Sequence, residues 1–419
     1  MLVSPKPLIS PGTLISPLPG PPVSKHTYLV DPGAPKPHRT PQTVRPPPTE
    51  SSFKPLAAPK RYEKEKERPR PRNPVLIRTE AQEQEVYRRT FHGCGKLSDY
   101  VLQEKIGEGT FGEVHRATRK DVADAPTVAL KRIFMHSESE GLPVTALREI
   151  RILKLLKHKN VLPLVDMIIH RSDNNAKTGD LYMVFPYMDY DLAGLLENSA
   201  AKLTPSMIKF FMFQLLEGTE YLHRNFILHR DMKAANLLIE RSGRLIIADF
   251  GLARPFDAPD LPSDRRDWGT RFTNMVVTRW YRPPELLLGE RHYTAAVDLW
   301  GIGCIYAEMW TRGPILKGQS DGHQFDIIIQ LCGTPTKDNW RECPAWRQDF
   351  NPQAEVKYPD KWGTHARAVT QRFNVITCSS GMELLDKLLV CNPEERLTAT
   401  QALQHDYFYE NPLPMKLGE

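Results

Sequence analysis

The sequence predicts an α+β protein of two unequal lobes, one small and strand-rich, the other larger and helical, behind a Pro-rich tail. Three observations carry this. Of 37 prolines in 419 residues, 19 fall before residue 81. Between residues 100 and 185 short runs alternate apolar and polar side chains, as half-buried strands do. Beyond residue 190 long helical patterns dominate, and a block of strands followed by a block of helices favours two lobes of one unit.

Residues 1–90 carry 16 basic and 8 acidic side chains, an excess larger than the whole chain's net charge of +6, so the remainder is close to neutral. Pro removes backbone donors there, apolar residues do not cluster, and the run Lys60-Arg61-Tyr62-Glu63-Lys64-Glu65-Lys66 stays solvated. Residues 1–95 are therefore expected to be disordered and partly polyproline II. Ser4-Pro5, Ser10-Pro11, Ser16-Pro17 and Thr40-Pro41 could accept phosphate from proline-directed kinases, although linker composition accounts for them as well. Lys64, Lys66, Arg68, Arg70 and Arg72 fit a nuclear-localisation patch and equally a solvated charge run. The near-neutral remainder disfavours a globular, sequence-specific nucleic-acid binder and leaves only a basic arm.

The six cysteines form no CxxC pair, which excludes a zinc ribbon, offers no disulfide framework and suits a reducing compartment. No stretch approaches the ~18 apolar residues of a membrane span. Pro5, Pro7 and Pro11 interrupt any signal-peptide core, so a soluble intracellular chain without a membrane partner is expected.

The elements follow in order. Residues 100–105 and 128–133 alternate as strands, 114 onward reads as another, and 181–185 as a short buried one. An amphipathic helix over 143–158 carries Glu149. Thr204 followed by Pro205 starts a helix, because a hydroxyl caps free amides and Pro has none to leave orphaned. Ile208, Phe211, Leu215 and Leu222 line one face of that helix. Residues 245–248 form a strand ending at Asp249.

The chemistry lies between these elements. Gly107-Glu108-Gly109-Thr110-Phe111-Gly112-Glu113-Val114 is a GxGxxGxV run. A dinucleotide fold would place a helix after the glycines and an acid about 20 residues on. Here a strand follows and position 131 is lysine, which suits a strand–turn–strand lid laying backbone amides over phosphates. Lys131 and Glu149 taken alone read as surface residues. His229-Arg230-Asp231-Met232-Lys233-Ala234-Ala235-Asn236, with Asp249-Phe250-Gly251 following 13 residues after Asn236, changes that. Asn236 and Asp249 offer hard oxygens to Mg²⁺, Asp231 is free to take a hydroxyl proton, and Lys233 can neutralise a moving phosphoryl group.

With these motifs, and Pro283-Pro284-Glu285, Asp298 and Arg396, the chain resembles the eukaryotic protein kinase superfamily over residues 100–408. The resemblance implies a bilobal kinase fold, with an N-lobe over 100–185, a C-lobe over 189–408 and a short tail over 409–419. It implies Mg·ATP held by Ile106, Gly107, Glu108, Gly109, Thr110, Phe111, Gly112, Glu113, Val114, Ala129, Lys131, Asp191 and Leu238. The hinge would be Pro186-Tyr187-Met188, with Met188 contacting the base beside the gatekeeper Phe185. The metal would be held by Asn236 and Asp249, and catalysis carried by Asp231, Lys233, Lys131, Glu149 and Thr278. Glu285 and Arg396 would form a buried ion pair, and Asp298 would brace the catalytic loop.

Pro143-Val144-Thr145-Ala146-Leu147-Arg148-Glu149 resembles the helix that cyclin-dependent kinases present to a cyclin. With Asp191-Leu192-Ala193-Gly194-Leu195-Leu196 it is most similar to the transcription-elongation kinases, the catalytic subunits of positive transcription elongation factor b, and its Pro-rich extension to the fungal ones. That implies an elongation-type cyclin as partner, a nuclear location, and the Ser-Pro repeats of RNA polymerase II with elongation factors as substrates. An activating phosphate is implied on Thr273, held by Arg148, Arg230 and Arg254. Val276-Val277 would leave the amide after the target residue without an acceptor, favouring proline.

Some residues depart from the pattern. Phe111 replaces the tyrosine of cell-cycle relatives, Met275 stands where mitogen-activated kinases carry tyrosine, and Arg279 is basic where leucine is usual. The alternatives are a cell-cycle cyclin-dependent kinase, against which Phe111 argues, and a kinase-shaped scaffold. A scaffold would be expected to have lost Lys131, Asp231 or Asp249, and none is lost.

Overall fold

The computed structural model describes residues 94–109, 112–120, 125–133, 142–170, 180–256, 276–348, 350 and 356–417. The N-terminal tail to residue 93, Thr110, Phe111 and Thr273 lie outside the described residues.

The smaller lobe is an antiparallel sheet of β1 (Tyr100–Gly109), β2 (Gly112–Arg119), β3 (Val128–Ile133), β4 (Asp166–His170) and β5 (Asp180–Pro186), in spatial order β1-β2-β3-β5-β4. Period-two alternation gives it two faces. Val128, Leu130, Tyr182 and Val184 join Tyr100, Ala117 and Ile168 in a small core on one side. Ile133, Leu181, Met183 and Phe185 join the main core on the other, with Ala129 packed against it. Lys131 shares that second face, which is how an alternating strand delivers a lysine inward. Gly112 is required by close approach, since a Cβ there would lie 1.9 Å from the Arg132 carbonyl oxygen.

Helix α1 (Val144–Leu155) buries Ala146, Glu149, Ile150 and Leu153 on one stripe. It ends three residues before the expected 158. Leu156 turns extended, and the buried Asn160 side chain donates to Gln214 Oε1 (3.1 Å) and the Leu245 carbonyl (2.7 Å), pulling the chain across to the larger lobe. Gly95, at the edge of the segment expected as tail, bridges to Ile168 and donates to the Met167 carbonyl at 2.8 Å.

The larger lobe is built on helices α2 (Leu192–Glu197), α3 (Pro205–Arg224), α4 (Pro284–Leu287), α5 (Ala296–Thr311) and α6 (Asp321–Cys332), with short segments beyond. Thr204 caps α3 by accepting from Met207 N at 3.3 Å, and Ile208, Phe211, Leu215 and Leu222 are buried as their spacing requires. Nearly every residue of α5 is buried, the pattern of a helix at the centre of a lobe. Arg396 and Glu285 pair bidentately at 3.0 and 3.1 Å in full burial, and Arg396 also donates to the Ala296 and Val390 carbonyls. Beyond residue 408 the chain lies on α3, where Lys209 donates to the Glu410 carbonyl (2.7 Å) and Ser206 to that of Leu413 (2.6 Å). All six cysteines are free. Among the described residues no helix is long and apolar enough to cross a membrane.

Candidate active site

A cleft of about 620 Å³ separates the two lobes, within the usual range for a small-molecule site. Its roof comes from β1, β2 and β3, its back from β5 and the segment after it, and its floor from the loops around residues 231 and 249.

Lys131 Nζ lies 2.8 Å from Glu149 Oε1 and 3.8 Å from Asp249 Oδ1. Burial alone would lower the pKa of this lysine. The charges of Glu149 and Asp249 outweigh that and raise it, so the ammonium is retained. The pair exists because α1 turns its Glu149 stripe toward the sheet face that carries Lys131.

The loop from His229 to Asn236 is anchored from below. Both carboxylate oxygens of the buried Asp298, on α5, accept backbone amides, from His229 (3.0 Å) and Arg230 (2.8 Å), and His223 Nε2 lies 2.9 Å from Oδ2. Arg230 takes a positive φ of 65°, held by its bonds to the Leu252 carbonyl (2.8 Å) and the Tyr293 hydroxyl (2.7 Å). Asp231 is thereby presented to the cleft. Its Oδ2 accepts from Lys233 Nζ (2.7 Å) and Asn236 Nδ2 (3.0 Å), and its Oδ1 from the Thr278 hydroxyl (3.0 Å) and amide (3.1 Å). Lys233 also donates to the Thr278 hydroxyl at 3.1 Å. Burial pushes the Asp231 pKa up, but the Lys233 charge and hydrogen bond, then His229 and the Thr278 amide, bring it below the ordinary value. The five residues expected to carry catalysis thus form two adjoining groups, Lys131 with Glu149, and Asp231 with Lys233 and Thr278.

The sequence-predicted nucleotide residues Ile106, Gly107, Glu108, Gly112, Val114, Ala129, Lys131, Phe185, Met188, Asp191 and Leu238 all line the cleft. Among the described side chains Glu113 does not. Alternation along β2 turns Val114 inward and Glu113 away, where Arg132 (2.9 Å) and Lys105 (3.5 Å) engage its carboxylate. Asp191 also caps α2, accepting from Gly194 N at 2.9 Å. Leu162, Ala235 and Leu252 line the cleft without having been singled out. They lie in connecting segments with no local pattern, and only Ala235, inside the catalytic motif, had a signal. Among the described residues no partner takes the Met188 amide or carbonyl, which leaves both for a planar base.

For a cation the donor set is open. Asn236 Nδ2 donates to Asp231, and no described residue uses its Oδ1. Asp249, at φ 61°, has a half-exposed carboxylate whose only contacts among the described residues are Lys131 and the Gly251 amide. No cluster of three His, Cys, Asp or Glu occurs among the described residues. Two hard oxygens facing a cleft fit Mg²⁺ shared with substrate phosphates better than a closed protein cage.

Two features flank this centre. Val277 sits at φ 67°, a conformation costly for a β-branched residue, and Arg282 holds it there by donating to the carbonyls of Val277 (3.1 Å) and Val276 (3.0 Å). Arg148 and Arg254 are lowered in pKa by burial first and then by neighbouring arginine charge, that of Arg230 for both. Arg254 Nε is buried without an acceptor among the described residues.

A two-lobed fold that closes two lysines, the carboxylates of Glu149, Asp231 and Asp249, and an asparagine around one cleft defines a phosphotransferase architecture. The protein kinase domain family model matches residues 100–408. The probable cyclin-dependent kinase 9 of Schizosaccharomyces pombe is 49% identical over 341 residues, covering 78% of this chain and 55% of that protein. A serine/threonine-protein kinase of Yarrowia lipolytica is 50% identical over 333 residues, covering 79% and 46%. Human cyclin-dependent kinase 9 is 46% identical over 326 residues, covering 77% of this chain and 84% of that one. A chain of the crystal structure of the yeast RNA polymerase II CTD kinase CTDK-1 complex superposes with a TM-score of 0.66 at 34% identity, covering 78% of this chain and 99% of its own. The chain belongs to the protein kinase family, in the branch of the cyclin-dependent kinase 9 relatives. It spans about half the length of the fungal relatives it matches. Protein kinases in general use ATP and Mg²⁺.

Proposed function

We propose that this chain is a cyclin-dependent serine/threonine kinase that transfers the γ-phosphate of ATP to Ser-Pro and Thr-Pro sites. Its substrates are the C-terminal repeats of RNA polymerase II and elongation factors, and it acts in the nucleus. The observation that carries the reading is the Asp231 carboxylate, ionised and held between Lys233 and Thr278 at the mouth of the cleft.

Asp231 accepts the proton of the attacking hydroxyl, and Lys233, bonded to the same carboxylate, neutralises charge on the transferred group. Lys131, oriented by Glu149, holds the α- and β-phosphates. Asn236 and Asp249 hold Mg²⁺, which when bound neutralises the phosphate oxygens. Arg282 occupies the Val277 carbonyl, so an incoming amide after the target residue finds no acceptor there, and proline, which has none to satisfy, is preferred. Replacing that proline by alanine in a Tyr-Ser-Pro-Thr-Ser-Pro-Ser peptide is expected to lower kcat/KM by about tenfold, one unsatisfied buried group. Equal rates would remove the proline reading.

The partner reading rests on α1. Val144 is 68% exposed, Leu155 76% and Leu147 44%, an apolar face on the helix that also positions Glu149. A cyclin covering that face would fix the Lys131–Glu149 pair. Phosphate transfer to the repeat peptide should require an elongation-type cyclin, and full activity of the isolated chain would overturn that dependence. A phosphate on Thr273 would meet Arg148, Arg230 and Arg254. Thr273→Ala is accordingly expected to lower turnover at least about tenfold, measured as labelled phosphate incorporated.

A further inference from the structure

Arg279 follows Thr278, whose hydroxyl and amide bond Asp231. Its Nε donates to Asp321 Oδ1 (2.9 Å) and its Nη1 to the Gln319 carbonyl (3.0 Å). The other oxygen of that carboxylate is taken by Arg282 Nη1 at 2.8 Å. One carboxylate therefore serves two guanidinium groups, and one positive charge is left over. Arg282 is buried and also bonded to the carbonyls of Val276 and Val277. The Arg279 side chain is 46% exposed, and no described residue uses its Nη2. The surplus charge is thus available to solvent at Arg279.

A second cation lies near the ring of the next residue, Trp280. Lys317 Nζ stands 6.0 Å from the ring centroid of Trp280, itself 39% exposed and tied through Nε1 to the Gly318 carbonyl at 3.3 Å. Glu308, which lies within electrostatic reach of Lys317, is buried and accepts the Tyr281 hydroxyl at 2.6 Å; burial lifts its pKa to about 7, so near neutral pH it offsets the Lys317 charge only in part. Arg279 is tied to the Val276–Val277 turn through the Asp321 it shares with Arg282, and Trp280 beside it carries Lys317 near its ring; together we call them the ledge.

We infer that Arg279, with Lys317, reads an anionic side chain, carboxylate or phosphate, on the substrate downstream of the target Ser-Pro or Thr-Pro. The inference rests on the kinase reading above. A substrate leaving the proline turn would pass close to Arg279, which shares Asp321 with the Arg282 of that turn, and an exposed, pre-oriented guanidinium can recognise either anion bidentately.

The test uses the full chain with its cyclin and Mg·ATP. Peptides sharing one Ser-Pro target carry Gln, Glu or phosphoserine at each of the two positions after the proline. At one of those positions the anionic peptides are expected to exceed the Gln peptide in kcat/KM by about three- to tenfold, through KM. The ratio should fall toward one in Arg279→Leu, be partly kept in Arg279→Lys, drop in Lys317→Ala, and shrink between about 50 and 300 mM salt. A gain with phosphoserine alone assigns a dianion reader, and a gain with both assigns a general anion reader. A wild-type ratio near one, or a ratio unchanged by Arg279→Leu and Lys317→Ala, overturns the inference while leaving the kinase reading intact. If no peptide is labelled although ATP binds, the kinase reading fails and takes the inference with it.

Discussion

Asp231→Asn is expected to reduce phosphate transfer by about 10²–10⁴-fold, the range general-base groups contribute, while ATP still binds. The substitution is nearly isosteric, and an amide oxygen can still accept from Lys233 or Thr278, so the loop keeps its Asp298 anchor. What disappears is the charged oxygen that takes the hydroxyl proton. The pH profile is part of the same expectation. Lys233, His229 and the Thr278 amide together hold Asp231 below its ordinary pKa, so the carboxylate is ionised throughout the neutral range. Activity lost to its protonation should appear only below the ordinary Asp range, about pH 4. Turnover within tenfold of wild type, with an unchanged melting temperature, would mean that positioning alone drives the reaction.

The largest stability effect is expected from Arg396→Met. Arg396 and Glu285 have side chains 0% and 2% exposed, so removing one partner strands a charge that water cannot reach. Breaking such a pair costs about 3–5 kcal/mol. The Ala296 and Val390 carbonyls lose their donor in the same step. At roughly 2–4 °C per kcal/mol for a domain of this order of size, the melting temperature should fall by roughly 6–20 °C. Glu285→Leu combined with Arg396→Met should recover part of the loss, because the stranded charge is gone. A single substitution that costs under about 1 kcal/mol would show that the pair is not what ties residue 285 to the C-terminal third.

Both effects concern residues that could be named from the sequence, and the reason is physical. Asp231, Asn236 and Asp249 sit in short motifs whose spacing is fixed by the turns that present them, and strands such as 128–133 announce themselves by alternation. Leu162 had no such mark. It reaches the cleft because the Leu162 amide bonds the Ile247 carbonyl at 2.9 Å, a pairing 85 residues long that no local pattern encodes. Glu113 went the other way. It lies in the glycine motif, yet strand alternation gives its carboxylate to Arg132. α1 ends short of residue 158 because the buried Asn160 amide, not helix propensity, decides where the chain leaves the helix. The hydrogen bonds that hold Val277 left-handed likewise leave no local pattern, because they come from the Arg282 side chain.

The anchoring of the catalytic loop on Asp298 has a consequence for motion. The loop is pinned at two successive amides to the most buried helix of the larger lobe, so it cannot open without that lobe's core. The opposite wall of the cleft hangs on a sheet whose outer core has seven residues. Breathing of the cleft is therefore expected to be one-sided, with the roof moving more than the floor. Movement that opens the cleft should fall on the strands, on the microsecond-to-millisecond scale of lobe motions, while the Asp231 carboxylate keeps time with the slowest part of the molecule.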